Sequence, residues 1–132
     1  MAEQSNVWVI DDDRSIRWVL EKALKQAGMA VQSFESADEA LKQLQREEPL
    51  VLVTDIRMPG TSGLGLLEQI TRDHPDLPVI IMTAHSDLDS AVSAYQGGAF
   101  EYLPKPFDID EAVELVRRAL THREEQSASV SA

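Results

Sequence analysis

Residues 50–60 read LVLVTDIRMPG, an apolar run that stops at one carboxylate, Asp55, and then turns through Met58-Pro59-Gly60. An uninterrupted run of Leu and Val needs cover on both faces, as the central strands of a parallel sheet have. Asp55 then falls where that strand leaves the core, at the sheet's carboxyl edge. Open α/β sheets keep their chemistry there.

Upstream, Val7-Trp8-Val9-Ile10 is another short β-rich run, and it ends on Asp11, Asp12 and Asp13. From Ser15 the apolar period becomes helical, with Ile16, Val19, Leu20, Ala23, Leu24 and Ala27 on one face, Gly28 as the stop and Asp13 as the N-cap. Residues 30–34 alternate as a marginal strand does. Ser36 with Glu39 makes a capping box for a second helix carrying Ala37, Ala40, Leu41 and Leu44, which Glu48-Pro49 ends.

Downstream of the opening stretch, Leu64, Leu66, Leu67 and Ile70 mark a third helix closed by His74-Pro75. Val79-Ile80-Ile81-Met82 is again continuously apolar and ends at Thr83. A short fourth helix, poor in large apolar residues, is expected between a Ser86/Asp89 cap and Gly97-Gly98, with Leu88, Val92 and Tyr95 on its face. Residues 100–103 give a last strand, with Pro104 tolerable only at an edge. Asp108 with Glu111 caps a fifth helix. The tail 123–132 lacks an apolar period and reads as a linker or disordered, as do residues 1–6, so the folded unit is 7–122.

Five strands alternating with five helices imply right-handed crossovers and a doubly wound parallel α/β sheet covered on both faces. The first, third and fourth strands are wholly apolar and belong in the middle, whereas the second and fifth are mixed and belong at the edges. That ranking selects the flavodoxin-like order 2-1-3-4-5.

The 132 residues make one domain and include no Cys, which excludes disulfides and thiolate metal sites and makes a cytoplasmic location the default expectation. No apolar run approaches the roughly 20 residues needed to span a bilayer, so no membrane role is expected. With 12 Lys and Arg against 23 Asp and Glu, the net charge of −11 repels phosphate backbones and argues against nucleic-acid binding by this chain.

In this topology Asp11, Asp12, Asp55, Thr83 and Lys105 share one rim. Crowded carboxylates repel one another and are stable with a cation among them. Oxygen-only ligands select Mg²⁺ over zinc. A bound Mg²⁺ and the Lys105 ammonium together would neutralise a phosphoryl group arriving at Asp55, whose carboxylate is a competent nucleophile.

VWVIDDDRSIRWVL at 7–20, TDIRMPG at 54–60 and PVIIMTAHSDLDSAVSAYQGGAFEYLPKPFDIDEAV at 78–113, with their spacing, resemble the receiver domain of two-component response regulators, the CheY-like family, and most closely the receivers of nitrogen-regulation activators. The resemblance implies that Asp55 accepts a phosphoryl group from a phosphohistidine on a sensor histidine kinase. It implies that Asp12, Asp55 and the backbone carbonyl of Arg57 ligate Mg²⁺, with Asp11 acting through water, and that Lys105 pairs with the phosphoryl oxygens beside a cis Lys105–Pro106 bond. Thr83 and Tyr102 would be the switch pair, and Leu88 and Tyr95 would gain exposure as residues 84–96 shift. The face of the fourth helix, fifth strand and fifth helix would then be the output surface, serving a phosphorylation-linked homodimer and a downstream AAA+ ATPase domain.

No G-x-x-x-x-G-K loop and no helix-turn-helix pattern occurs in the chain, so those output modules are expected outside it. Leu50 stands where the family commonly has Asp, and Gly65 puts a poor helix former early in the third helix. A haloacid-dehalogenase-like phosphohydrolase would need a second Asp two residues after Asp55, where Arg57 stands. A flavin module would need a Ser/Thr/Gly-rich phosphate loop where three acids stand, and a receiver that only scaffolds usually lacks one of the site residues, all of which are present. The chain therefore reads as a phosphoacceptor switch that assists its own phosphorylation and dephosphorylation, and not as a turnover enzyme.

Overall fold

The structure is a computed structural model that describes residues 7–56, 60–84 and 98–131, with side chains as far as Arg123 in the last helix. Strands β1 (Val7–Ile10), β2 (Val31–Phe34), β3 (Val51–Asp55), β4 (Val79–Ala84) and β5 (Glu101–Lys105) form one parallel sheet in the order β2-β1-β3-β4-β5. The described helices are α1 (Arg14–Gln26), α2 (Ala37–Leu44), α3 (Gly63–Asp73) and a C-terminal helix (Ile109–Ser131). The helix expected between Ser86 and Gly97 lies outside the described residues, as does the segment 1–6.

Strand residues alternate between the two faces, and each face has its own core. Trp8, Ile10, Leu52 and Ile81 point toward α2 and α3, where they meet Ala40, Leu44, Leu66, Leu67 and Ile70. Val7, Val9, Val51, Val53, Ile80 and Met82 point the other way, against Leu20 and Leu24 of α1 and Leu115 and Val116 of the C-terminal helix. Burial of both faces explains why β1, β3 and β4 are apolar without alternation. The register brings the carboxyl ends level, with Ile10 beside Thr54, Asp55 beside Met82, and Ala84 beside Lys105.

The helix starts follow local chemistry. Asp13 Oδ1 accepts from the amides of Ser15 at 2.8 Å and Ile16 at 3.4 Å, and Ser36 Oγ accepts from Glu39 N at 3.2 Å, as the sequence predicts for both caps. Ser62 caps α3 by accepting from Gly65 N at 3.1 Å. That cap was not expected, because Gly65 occupies the position where a capping box would place Glu or Gln.

Three boundaries differ from expectation. α2 ends at Leu44, several residues before Pro49. β5 runs from Glu101 to Lys105 and includes Pro104, whose missing N–H is tolerated because β5 is an edge strand. The C-terminal helix continues to Ser131, past the expected end of the folded unit at residue 122. An amphipathic period is needed to pack a helix but not to prolong one: residues 121–131 contain no Gly or Pro, and propagation from a packed helix is far easier than nucleation.

Candidate functional site

Asp55 is the last residue of β3, and its main chain is held on several sides. Ile56 N donates to Met82 O at 3.2 Å, Thr54 Oγ1 donates to Asp55 O at 3.0 Å, and Gly63 N donates to Ile56 O at 2.8 Å. α3 therefore begins directly against the carboxylate-bearing residue. A Cβ on Gly63 would lie 2.2 Å from Asp55 O and 2.7 Å from Ile56 Cα, so only glycine fits. On the far side of the same loop, Thr61 Oγ1 donates to Asp38 Oδ1 of α2 at 2.6 Å.

The end of β1 supplies Asp11, fully buried, and the exposed Asp12. Lys105, at the end of β5, reaches across β3 and β4 to place Nζ 3.0 Å from Asp11 Oδ2 and 3.3 Å from Asp55 Oδ1. The Lys105–Pro106 bond is cis. Asp11 Oδ1 also accepts from Asp13 N at 2.9 Å. Carboxylate oxygens of Asp11, Asp12 and Asp55 lie within 4.8 Å of one another.

Burial raises the pKa of Asp11 above its ordinary value, with the Asp55 charge adding to it, and burial likewise raises Asp55, with Asp12 adding to it. Burial alone would lower Lys105, but its hydrogen bond to Asp11 and the charges of Asp11 and Asp55 outweigh this and hold its ammonium above the usual value. Three carboxylates against one ammonium leave an unbalanced negative charge. The donor set is all oxygen, close enough to share one small hard cation, so the residues fit Mg²⁺.

The structure thus brings together Asp11, Asp12, Asp55 and Lys105. Thr83 is buried on β4, one residue past the level of Asp55. Tyr102 is half-buried beside Ile81 and packed on the α2–α3 face of the core. Arg57, Leu88 and Tyr95 lie outside the described residues. One polar contact to the acid loop was not expected: Arg17 of α1 donates from Nη1 to the main-chain carbonyl of Asp11 at 2.6 Å. Its sequence signal is slight, a charged residue one turn into a capped helix.

The family described as the response regulator receiver domain matches residues 7–117, and the chain belongs to it. The chain is 67% identical over 120 residues to the DNA-binding transcriptional regulator NtrC of Salmonella typhimurium, covering 91% of this chain and 26% of that protein. It is 44% identical over 119 residues to the C4-dicarboxylate transport transcriptional regulatory protein DctD of Rhizobium meliloti, with 90% of this chain and 26% of that one covered. It thus spans about a quarter of the length of these curated relatives. The solution structure of the apo receiver domain of NtrC superposes with a TM-score of 0.82 at 66% identity, covering 89% of this chain and 95% of that one.

Proposed function

We propose that this chain is the phosphorylation-controlled receiver, over about residues 7–122, of a transcriptional regulator of nitrogen assimilation, with Asp55 as phosphoacceptor. The observation that carries the reading is the convergence of two strand ends on Asp55, with Lys105 Nζ 3.3 Å from its carboxylate and Asp11 and Asp12 beside it. The donor is a phosphohistidine on a sensor histidine kinase. An Asp55 oxygen attacks phosphorus in line, the new O–P bond forms as the donor's N–P bond breaks, and the electron pair returns to the imidazole nitrogen.

Lys105 neutralises charge on the transferred group and keeps Asp55 aimed at it. Asp12, Asp55 and the Arg57 carbonyl would hold Mg²⁺ directly, with Asp11 through water. When bound, that ion supplies charge neutralisation to the phosphoryl oxygens. The chain acts as a switch that assists its own phosphorylation and dephosphorylation, and not as a conventional enzyme.

Added phosphoryl charge draws the Thr83 hydroxyl toward it as a donor. Tyr102 then moves into the vacated space, and Leu88 and Tyr95 change exposure, so the segment before β5, β5 itself and the C-terminal helix form the output face. That face serves a phosphorylation-linked homodimer and the ATPase and DNA-binding parts of the full-length regulator, in the cytoplasm. Intact-mass analysis after acetyl phosphate and Mg²⁺ tests the input. A single phosphoryl adduct on wild type and none on Asp55→Asn is expected, and an adduct on both would place the acceptor elsewhere. Amide exchange across residues 84–104 that is unchanged by a phosphoryl mimic would refute the output face.

A further inference from the structure

The turn from β1 into α1 is held through the polar atoms of Asp11 and Asp13. Asp11 N donates to Phe34 O at 3.2 Å, Asp13 N donates to Asp11 Oδ1 at 2.9 Å, and Asp13 Oδ1 in turn caps α1. The Asp11 carboxylate is gripped by Lys105. The remaining acceptor, the main-chain carbonyl of Asp11, is taken by the Arg17 guanidinium at 2.6 Å, and Arg17 N donates to Asp13 O at 3.2 Å. Asp12 is the one exposed acid in this turn that the cation site uses, and its peptide begins at the carbonyl that Arg17 holds.

We infer that Arg17 is a positioning residue for the cation site: by fixing the Asp11 carbonyl from α1 it sets the peptide plane that aims Asp12 toward Asp11 and Asp55. The inference rests on the reading of these acids as a Mg²⁺ site. A charge-assisted bond to a carbonyl is short and directional, and a planar guanidinium fixes the acceptor's orientation better than an ammonium does. Groups that orient a metal ligand from behind typically change affinity by about tenfold or more when removed.

Geometry and charge predict opposite signs here. Arg17 is a cation near a cation site, so if it acted through its charge alone, removing it would tighten Mg²⁺ binding. If it positions Asp12, removing it loosens binding. MgCl₂ titration of the unphosphorylated protein, followed by amide shifts of residues 11–13, separates the two without any phosphorylation assay. Arg17→Met should weaken Mg²⁺ binding about tenfold and move the Asp12 and Asp13 amides before metal is added.

Arg14→Met removes an equal charge from the first turn of the same helix, where Arg14 is exposed, and should leave affinity unchanged or slightly tighter. Equal or tighter binding by Arg17→Met would overturn the inference. Should Arg17→Met fail to fold, Arg17→Lys decides: it keeps the charge and loses the planar donor, so weaker binding supports positioning and wild-type affinity refutes it. Absence of Mg²⁺ binding by the wild type would instead refute the reading of the acid cluster on which the inference rests.

Discussion

Glu48 offers the sharpest test of how the C-terminal helix is held. At the amino edge of the sheet, opposite the acids, its Oε1 lies 2.9 Å from His74 Nδ1 and its Oε2 accepts from Arg123 Nη2 at 2.7 Å, while Arg123 Nη1 donates to Asp76 O at 3.0 Å. The side chains are 31%, 25% and 19% exposed for Glu48, His74 and Arg123, between a surface pair and a buried one. Surface pairs contribute about 0.2–1 kcal/mol, and buried charged hydrogen bonds about 1.5–3 kcal/mol. Glu48→Gln, which keeps the shape and loses the charge, should therefore cost about 1.5 kcal/mol and lower Tm by roughly 5 °C.

A double-mutant cycle with Arg123→Gln should return a coupling of about 1 kcal/mol, and a value below about 0.3 kcal/mol would refute the clasp. The pH dependence has a definite sign. Arg123 and His74 outweigh burial and hold Glu48 below its ordinary value of 4.5. Its contribution is thus present above that value and lost as pH falls through the lower folded pKa. The gap between wild type and Glu48→Gln should be full at pH 7 and close on acidification below 4.5. Amide exchange in residues 124–131 should also quicken in the variant, since Arg123 is the last described anchor before them.

Two glycines of α3 should behave oppositely. Gly63→Ala drives a Cβ into the Asp55 backbone at 2.2 Å and should cost more than about 3 kcal/mol in a denaturant melt, shifting the Asp55 and Ile56 amides. Gly65→Ala meets only Thr61 Cγ2 at 3.3 Å and Ser62 Oγ at 3.5 Å, so helix propensity should prevail and stabilise by up to about 1 kcal/mol. Because burial raises the folded pKa of Asp55 above 3.8, its ionisation costs stability progressively as pH rises from that value through the folded pKa. Asp55→Asn should therefore raise the metal-free Tm at pH 7.5, and added Mg²⁺ should raise the wild-type Tm by an amount that shrinks as pH falls through the folded pKa of Asp55. A Mg²⁺ shift that stays constant on acidification down to 3.8 would contradict the electrostatic account.

Much of this fold is written in local pattern. Unbroken apolar strands at Val7–Ile10, Val51–Val53 and Val79–Met82 require two covered faces, and that requirement alone separates central from edge strands. Once the order is known, the acids and Lys105 share a rim without any knowledge of their contacts. The Asp13 and Ser36 caps were legible for the same reason, because donor and acceptor are two or three residues apart.

What was not legible depends on partners distant in the chain or on the main chain. Glu48 meets His74 26 residues later and Arg123 75 residues later, and nothing local to any of the three points to the others. Gly63 carries no pattern at all: its necessity comes from the approach of α3 to the Asp55 carbonyl, a distance that no periodicity encodes. Arg17 is an intermediate case, six residues from Asp11 and one helical turn past its cap, yet it binds a carbonyl, which every residue has and no sequence distinguishes. Reactive side chains at strand ends can thus be found by ordering the strands. The groups that hold those side chains in place act mostly through backbone atoms, and so they are defined only once the chain has folded.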